Sequence, residues 1–267
     1  MPVNDPPRRL GRLAAVLGAA LGAALVVVLV QAPAGFLALA VSHASHGRID
    51  LGEATGTVWR GQAAVVLASG GSGGVDRSRL PGQTSWRIEP WPLLTGRLDV
   101  TLSNPAVFDT PLRLRVDRAR AATLDAGTLH LPAQVLVGLG APWNTIEPGG
   151  EIRLDWDGLQ LAAGTLHGAL RAEWIGASSR LCPVVPFGRY RLEADGIFPG
   201  ASVRLVTLAG PMEMTGSGTI ADGLHLHFQG RAQVRAGTDA AVAAQLSGLI
   251  SLLGLRDGDG AILHIGT

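Results

Sequence analysis

Lysine is absent from this chain, and cysteine and tyrosine occur once each among 267 residues. A single cysteine, Cys182, excludes an internal disulfide and any cysteine-based metal site. It stands in LCPVVPFG with no basic neighbour to lower its pKa, so it reads as a buried, inert thiol rather than a nucleophile. All 22 basic residues are arginine. Together with the abundance of Ala and Gly, this fits a GC-rich coding sequence better than selection for arginine chemistry. The net charge is only +1, which argues against a nucleic-acid partner, because such a partner needs a concentrated basic surface.

Catalytic signatures are missing as well. No H-E-x-x-H, G-x-S-x-G or P-loop pattern occurs. The histidines are scattered, at 43, 46, 130, 167, 225, 227 and 264. His225 and His227 lie two apart on a strand pattern, so both could reach one metal. Leu224, Leu226 and Phe228 fill the alternate positions, however, and the two histidines read as the wet face of an amphipathic strand. Asp155 and Asp157 flank Trp156 close to Arg153. They read as solvated charges, since an acid/base pair needs surroundings that split its two pKa values. The residues therefore point to a non-enzyme with no catalytic residue, no cofactor and no metal.

What the chain does have begins at its N-terminus. Residues 1–12 carry Arg8, Arg9 and Arg12, and no charged residue follows until Arg48. Leu13 to Val30 is an unbroken run of apolar and small residues, and after Gln31 the stretch APAGFLALAV adds more apolar residues, to Val41. At ~1.5 Å rise per residue the run of roughly 18 residues reaches about 27 Å, close to the hydrocarbon thickness of a bilayer. The assignment is a transmembrane anchor over 13–40, in contact with the lipid bilayer, with 1–12 in the cytoplasm and the bulk of the chain across the membrane. A cleavable signal peptide is the rival reading, since Ala38 to Ala40 has the small-x-small form of a cleavage site. Against it, a signal h-region runs only about 7–15 residues. Gly18 and Gly22 form a G-x-x-x-G pair that would let two helices approach closely, a spacing that also arises by chance in an Ala/Gly-rich run.

Beyond a linker at 41–54, residues 55–267 read as one β-rich domain. In RLDVTLS, Leu98, Val100 and Leu102 alternate with charged and polar residues. LRLRVDR, EIRLDWD, RYRLEAD and LHLHFQG repeat the pattern. Period-two alternation means one face dry and one wet, as in antiparallel sheets. Two helices are expected, over 131–140 and over 238–254. The second has Thr238 or Asp239 as its cap, Val242, Leu246, Leu249, Ile250 and Leu253 on one face, and Gly254 as its stop. AILHIGT reads as a closing strand, and SGGSGGVDRSRLPGQ (69–83) as a Gly/Ser-rich loop. TGTVWRG (55–61) is expected to be the first strand, with Trp59 as a large packing anchor and Gly56 and Gly61 allowing close backbone approach. The fold class is thus mainly β: an N-terminal transmembrane helix, then an antiparallel β-rich domain, sandwich or open curved sheet, with one or two short helices.

The order GTVWRGQA (56–63), WRIEPWPLLTGRLDV (86–100), LPAQVLVGLGAPWNTIEPGGEIRLDW (131–156), LHGALRAEW (166–174) and FGRYRLEADG (187–196) resembles the type II secretion system protein N family. The tail, from GSGTIADGLHLHFQGRAQV through the amphipathic helix to the final strand, is similar too. The positions that carry the resemblance as a structural signature are Gly56, Trp59, Gly61, Trp86, Trp91 and Gly96. The resemblance implies a bacterial inner-membrane protein with one transmembrane helix and a periplasmic domain. It implies an accessory, non-catalytic role in export of folded proteins across the outer membrane, with other type II secretion subunits as partners. Two other readings stay open. One is an anchored lipid- or amphiphile-binding module of AsmA-like type, because many apolar strand faces face only two expected helices. The other is a periplasmic hydrolase using His225, His227 and Asp155.

Overall fold

Strands with one dry face pair side by side so that their apolar residues line up, and two such sheets form in the computed structural model. The structure describes residues 18, 30–69, 76–119, 121–140, 143–221 and 226–265. The anchor residues 13–17 and 19–29, Gly22 among them, lie outside the described residues, as do His225 and most of the Gly/Ser run. Among the described residues, no helix is long and apolar enough to cross a membrane.

Helix α1 (Ala34–Ala44) comes first. It is a separate element: Pro33 precedes it in extended conformation and bridges to Thr57. Residues 34–40, expected to close the anchor, thus belong to a helix docked on the domain, with Ala34 buried against Ala63 and Trp86. The first sheet is built from β1 (Ile49–Gly56), β2 (Arg60–Ala68), β3 (Arg77–Arg79), β4 (Thr84–Glu89), β5 (Leu98–Ser103), β6 (Leu112–Val116) and β7 (Ala122–Leu124). β10 (Leu159–Ala162), β11 (Thr165–His167) and β14 (Ile197–Phe198) complete it. Its order is β1-β2-β4-β5-β6-β7-β10-β11-β14, with β3 beside β2. A short helix, α2 (Pro90–Leu94), links β4 to β5.

The second sheet contains β8 (Gly127–Pro132), β9 (Pro148–Trp156), β12 (Leu170–Ser179), β13 (Gly188–Asp195) and β15 (Ala201–Ala209). It continues with β16 (Met212–Ile220), β17 (Leu226–Val234), β18 (Leu255–Asp257) and β19 (Gly260–Ile265). All strand pairs are antiparallel, and the order is β18-β19-β17-β16-β15-β13-β12-β9-β8.

The sheets meet along a corner that the chain crosses repeatedly. β9 passes through Asp157–Gly158 into β10, and β11 through Gly168–Ala169 into β12. Gly158 and Gly168 have φ of +72° and +144°, values open to glycine but strained for other residues, and they let strands leave one sheet and enter the other. The indole N–H of Trp156 donates to the Asp125 carbonyl at 2.8 Å and pins β9 to the loop ahead of β8.

Helix α4 (Ala240–Leu253) follows the expectation closely. The Asp239 carboxylate accepts from the Ala241 N–H at 2.8 Å as an N-cap. Leu246, Leu249 and Ile250 are buried against Phe187, Tyr190, Met212, Met214, Ala232 and Ala261. Over 131–140 the structure differs: Ala133–Leu139 is a 3-10 helix, followed by a single-turn helix α3 (Trp143–Ile146). The segment packs closely on β2 and β3 at Gly138. A side chain on Gly138 would lie 2.7 Å from the Leu67 carbonyl and 2.8 Å from the Ser78 nitrogen. The stretch 41–54, expected to be linker, holds the end of α1 and most of β1.

Candidate functional site: an uncovered apolar face

The alternating apolar residues of the first sheet fall into two ladders by register. One runs Ile88, Val100, Leu114, Leu124, Leu159 across β4, β5, β6, β7 and β10. The other runs Leu98, Val116, Ala122, Leu161, Leu166, Phe198. Paired residues of an antiparallel sheet point to the same side, so these side chains share one face. Of them only Phe198 is buried; Leu161 is exposed and the rest are half-buried. Helix α1 covers the β4 end of this face, where Leu37, Ile88 and Leu102 pack around the buried Trp86. At the corner, Leu166 and Phe198 meet Ala194, Val203 and Phe228 of the second sheet. Between those two ends, no cluster of buried side chains joins the first sheet to the second among the described residues. The two apolar faces therefore converge at the corner and stay half-covered away from it, which matches the open curved sheet more than a closed sandwich.

The outer face of the second sheet carries the opposite chemistry. Asp155, Arg171, Glu193 and Arg204 are successive cross-strand neighbours, and so are His130, Arg153, Glu173 and Arg191. Signs alternate along the first row and from Arg153 to Arg191 in the second. Glu173 is buried, yet its carboxylate accepts from Arg189 Nη2 at 2.7 Å and from Arg191 Nε at 2.7 Å. The Arg189 hydrogen bond holds the Glu173 carboxyl below the usual glutamate range; burial opposes this and Arg191 adds to it. Asp155 is held below the usual aspartate range, chiefly by its bidentate contact with Arg153, and Thr128 Oγ1 donates to it at 2.7 Å. Such a ladder fixes strand register and keeps this face wet.

Of the residues considered for a hydrolase site, His225 lies outside the described residues, and Asp155 and His227 are not brought together. Asp155 on β9 and His227 on β17 are separated by β12, β13, β15 and β16. At ~4.8 Å per strand that separation is about 24 Å. Asp157 is exposed at the corner, and Asp155 is committed to Arg153 and Thr128. What register does bring together is His227 and His264, with Ser217, Thr219 and Gln229, around a shallow polar depression. No group of three or more metal-binding side chains occurs among the described residues. His130 was legible only as one of seven scattered histidines. Its Nδ1 lies 2.6 Å from Glu151 and its Nε2 3.4 Å from Asp109, tying edge strand β8 to β9 and to the loop after β5. Cys182 is buried against α4, as an inert thiol would be.

The family model for type II secretion system protein N matches residues 47–263, nearly all of the β domain. The chain belongs to this family. No curated protein and no solved structure matches it. Membership makes the chain a component of the type II secretion system.

The signature residues now take distinct places. Thr57, Val58 and Trp59 form the turn of the β1–β2 hairpin, between Gly56 at the end of β1 and Arg60 at the start of β2, and Thr57 N–H closes back on the Arg60 carbonyl at 2.8 Å. Trp59 is half-buried, and its carbonyl accepts from Ile88 N–H at 2.7 Å. The buried anchor is Trp86: it is 6 % exposed and its indole N–H donates to the Val58 carbonyl at 3.0 Å. Gly61 lies under that ring, where a Cβ would stand 2.4 Å from Trp86 Cζ2. Gly96 ends α2, and Arg118 lies across it. Trp91, on α2, is exposed. Gly18 is exposed and stands apart from the rest of the described chain.

Proposed function

We propose that this protein is a non-enzymatic accessory subunit of a type II secretion system, anchored in the bacterial inner membrane by the apolar run that begins at Leu13. Its N-terminus is cytoplasmic and its β domain periplasmic, where it offers surfaces to other inner-membrane or periplasmic subunits. The observation that carries this reading is the family match over the β domain. The arginine-then-apolar N-terminus supports the orientation. The ladder-bearing outer face of the second sheet is charged and of mixed sign, and suits reversible protein contacts. The test is deletion of the gene with an exoprotein secretion assay, together with co-purification of secretion subunits on the tagged chain. Normal secretion and no co-purified subunit would overturn the reading.

One observation favours a second reading. The half-buried apolar ladders of the first sheet suit an acyl chain, as in an anchored AsmA-like amphiphile-binding module. Organic extraction of the purified protein followed by mass spectrometry tests it. Recovery of a stoichiometric amphiphile supports it, and a lipid-free protein removes it.

A further inference from the structure

The chain leaves its apolar run at one corner of the domain, and four strongly exposed apolar side chains lie on the two helices that begin there. Val58 N–H donates to the Ala32 carbonyl at 2.9 Å, so the exit of the run is fastened to the β1–β2 turn. Ile88 N–H donates to the Trp59 carbonyl of the same turn, and α2 starts two residues later at Pro90. Helices α1 and α2 therefore both begin at this hydrogen-bonded corner. On α1, Ala34 faces the sheet while Phe36 and Leu39 are 63 % and 70 % exposed. On α2, Trp91 and Leu94 are 76 % and 75 % exposed. A surface tryptophan and three large apolar side chains cost free energy in water unless something covers them.

We propose that this corner, formed by Phe36 and Leu39 of α1 and Trp91 and Leu94 of α2, sits in the interfacial layer of the same bilayer that the N-terminal run enters. This rests on the reading of residues 13–30 as membrane-spanning. The argument for a lipid occupant is position: the apolar run ends at Val30, a few residues before Phe36, so the corner is held at the bilayer surface by the chain itself. The chemistry agrees. Tryptophan and leucine on short interfacial helices bury readily at the headgroup level. Arg60 and Arg87, exposed cross-strand neighbours beside the turn, form no ion pair among the described residues and would meet anionic headgroups. Interfacial docking would fix the tilt of the β domain and set the α1-covered end of the apolar ladders next to the membrane.

The test uses the full chain in vesicles of phosphatidylethanolamine and phosphatidylglycerol, with an environment-sensitive fluorophore on single introduced cysteines. Buried Cys182 stays in place and is checked for labelling in the parent chain. Probes go at Phe36→Cys, Leu94→Cys, the exposed Asp259→Cys on the β18–β19 turn, and Ala20→Cys within the apolar run. The expected result is severalfold stronger quenching by headgroup-proximal spin-labelled lipid at 36 and 94 than at 259, with matching protection from aqueous iodide. Iodide access at 36 and 94 equal to that at 259, while position 20 is quenched by deep spin labels, would overturn the proposal and leave the anchor standing. Protection from iodide without lipid quenching would also overturn it, in favour of a protein contact. No deep quenching at position 20 would overturn the anchor and the proposal together. Far-UV circular dichroism of each labelled chain confirms that the fold is retained.

Discussion

Trp86, not Trp59, is the residue on which the start of the β domain depends, and this has a measurable consequence. Trp86 is 6 % exposed, packs with Ala34, Ala63 and the half-buried Leu37, Ile88 and Leu102, and donates its indole N–H to Val58 O. Trp86→Ala removes a buried indole and leaves a cavity that the surrounding β-strands fill only in part, a loss of about 3–5 kcal/mol. Trp86→Phe keeps most of the volume but loses the hydrogen bond, for about 1–2 kcal/mol. Trp59 is half-buried in the hairpin turn, so Trp59→Ala should cost less, about 1–2 kcal/mol. Gly61→Ala is expected to be costly in the parent chain, because the new methyl meets Trp86 Cζ2 at 2.4 Å and the Thr55 carbonyl at 2.5 Å. In the Trp86→Ala background its cost should shrink, since the ring is gone, but not vanish, since the carbonyl remains. The assay is urea unfolding of the full chain in mild detergent, followed by far-UV circular dichroism, as a double-mutant cycle. Trp59→Ala at least as damaging as Trp86→Ala, or additive costs for Gly61→Ala and Trp86→Ala, would refute this account of the packing.

Other expectations follow from the same structure. Glu173→Gln should cost about 1–3 kcal/mol at neutral pH, because two guanidinium groups lose a buried charged acceptor. The Glu173 pKa is lower folded than unfolded, so its contribution is present above the ordinary glutamate range and is lost as pH falls through the folded value. The gap between parent and Glu173→Gln urea midpoints should therefore narrow on acidification below that range, and a gap independent of pH would contradict the assignment. Leu246→Ala, at a fully buried position on α4, should cost about 2–5 kcal/mol and loosen the C-terminal helix, read as faster amide exchange there. Asp239→Ala should cost about 1 kcal/mol and Asp239→Ser almost nothing, measured by thermal unfolding, since serine also caps.

Several elements were legible without any tertiary information. Period-two alternation located β5, β6, β9 and β13 to within a few residues, because each strand needs only its own dry face to be recognised. Helix α4 was legible from its cap, its apolar stripe and Gly254, all local features. TGTVWRG reads as one strand in the sequence but holds the Thr57–Trp59 turn between the end of β1 and the start of β2. A hairpin turn depends on which partner β1 finds, and that is a long-range pairing with β2. For the same reason the buried tryptophan could not be told from the half-buried one: Trp86 is sealed by Gly61 and Val58, both distant in sequence. The Glu173 site was missed because its two arginines come from the neighbouring strand β13.

The sequence alone determined much of the chemistry of this protein: an apolar N-terminal run, strands with one dry face, and the ordered motifs that mark the type II secretion system protein N family. Those properties reside in local composition and spacing. Only the tertiary structure decided how the dry faces are used. Whether two apolar sheets close on each other depends on the angle at which strands turn at Gly158 and Gly168 and on where α1 and α4 land. The corner leaves the middle of the first sheet half-covered, while α4 seals the far end of the second. Side-chain alternation says which atoms avoid water, but the backbone bend decides whether they succeed.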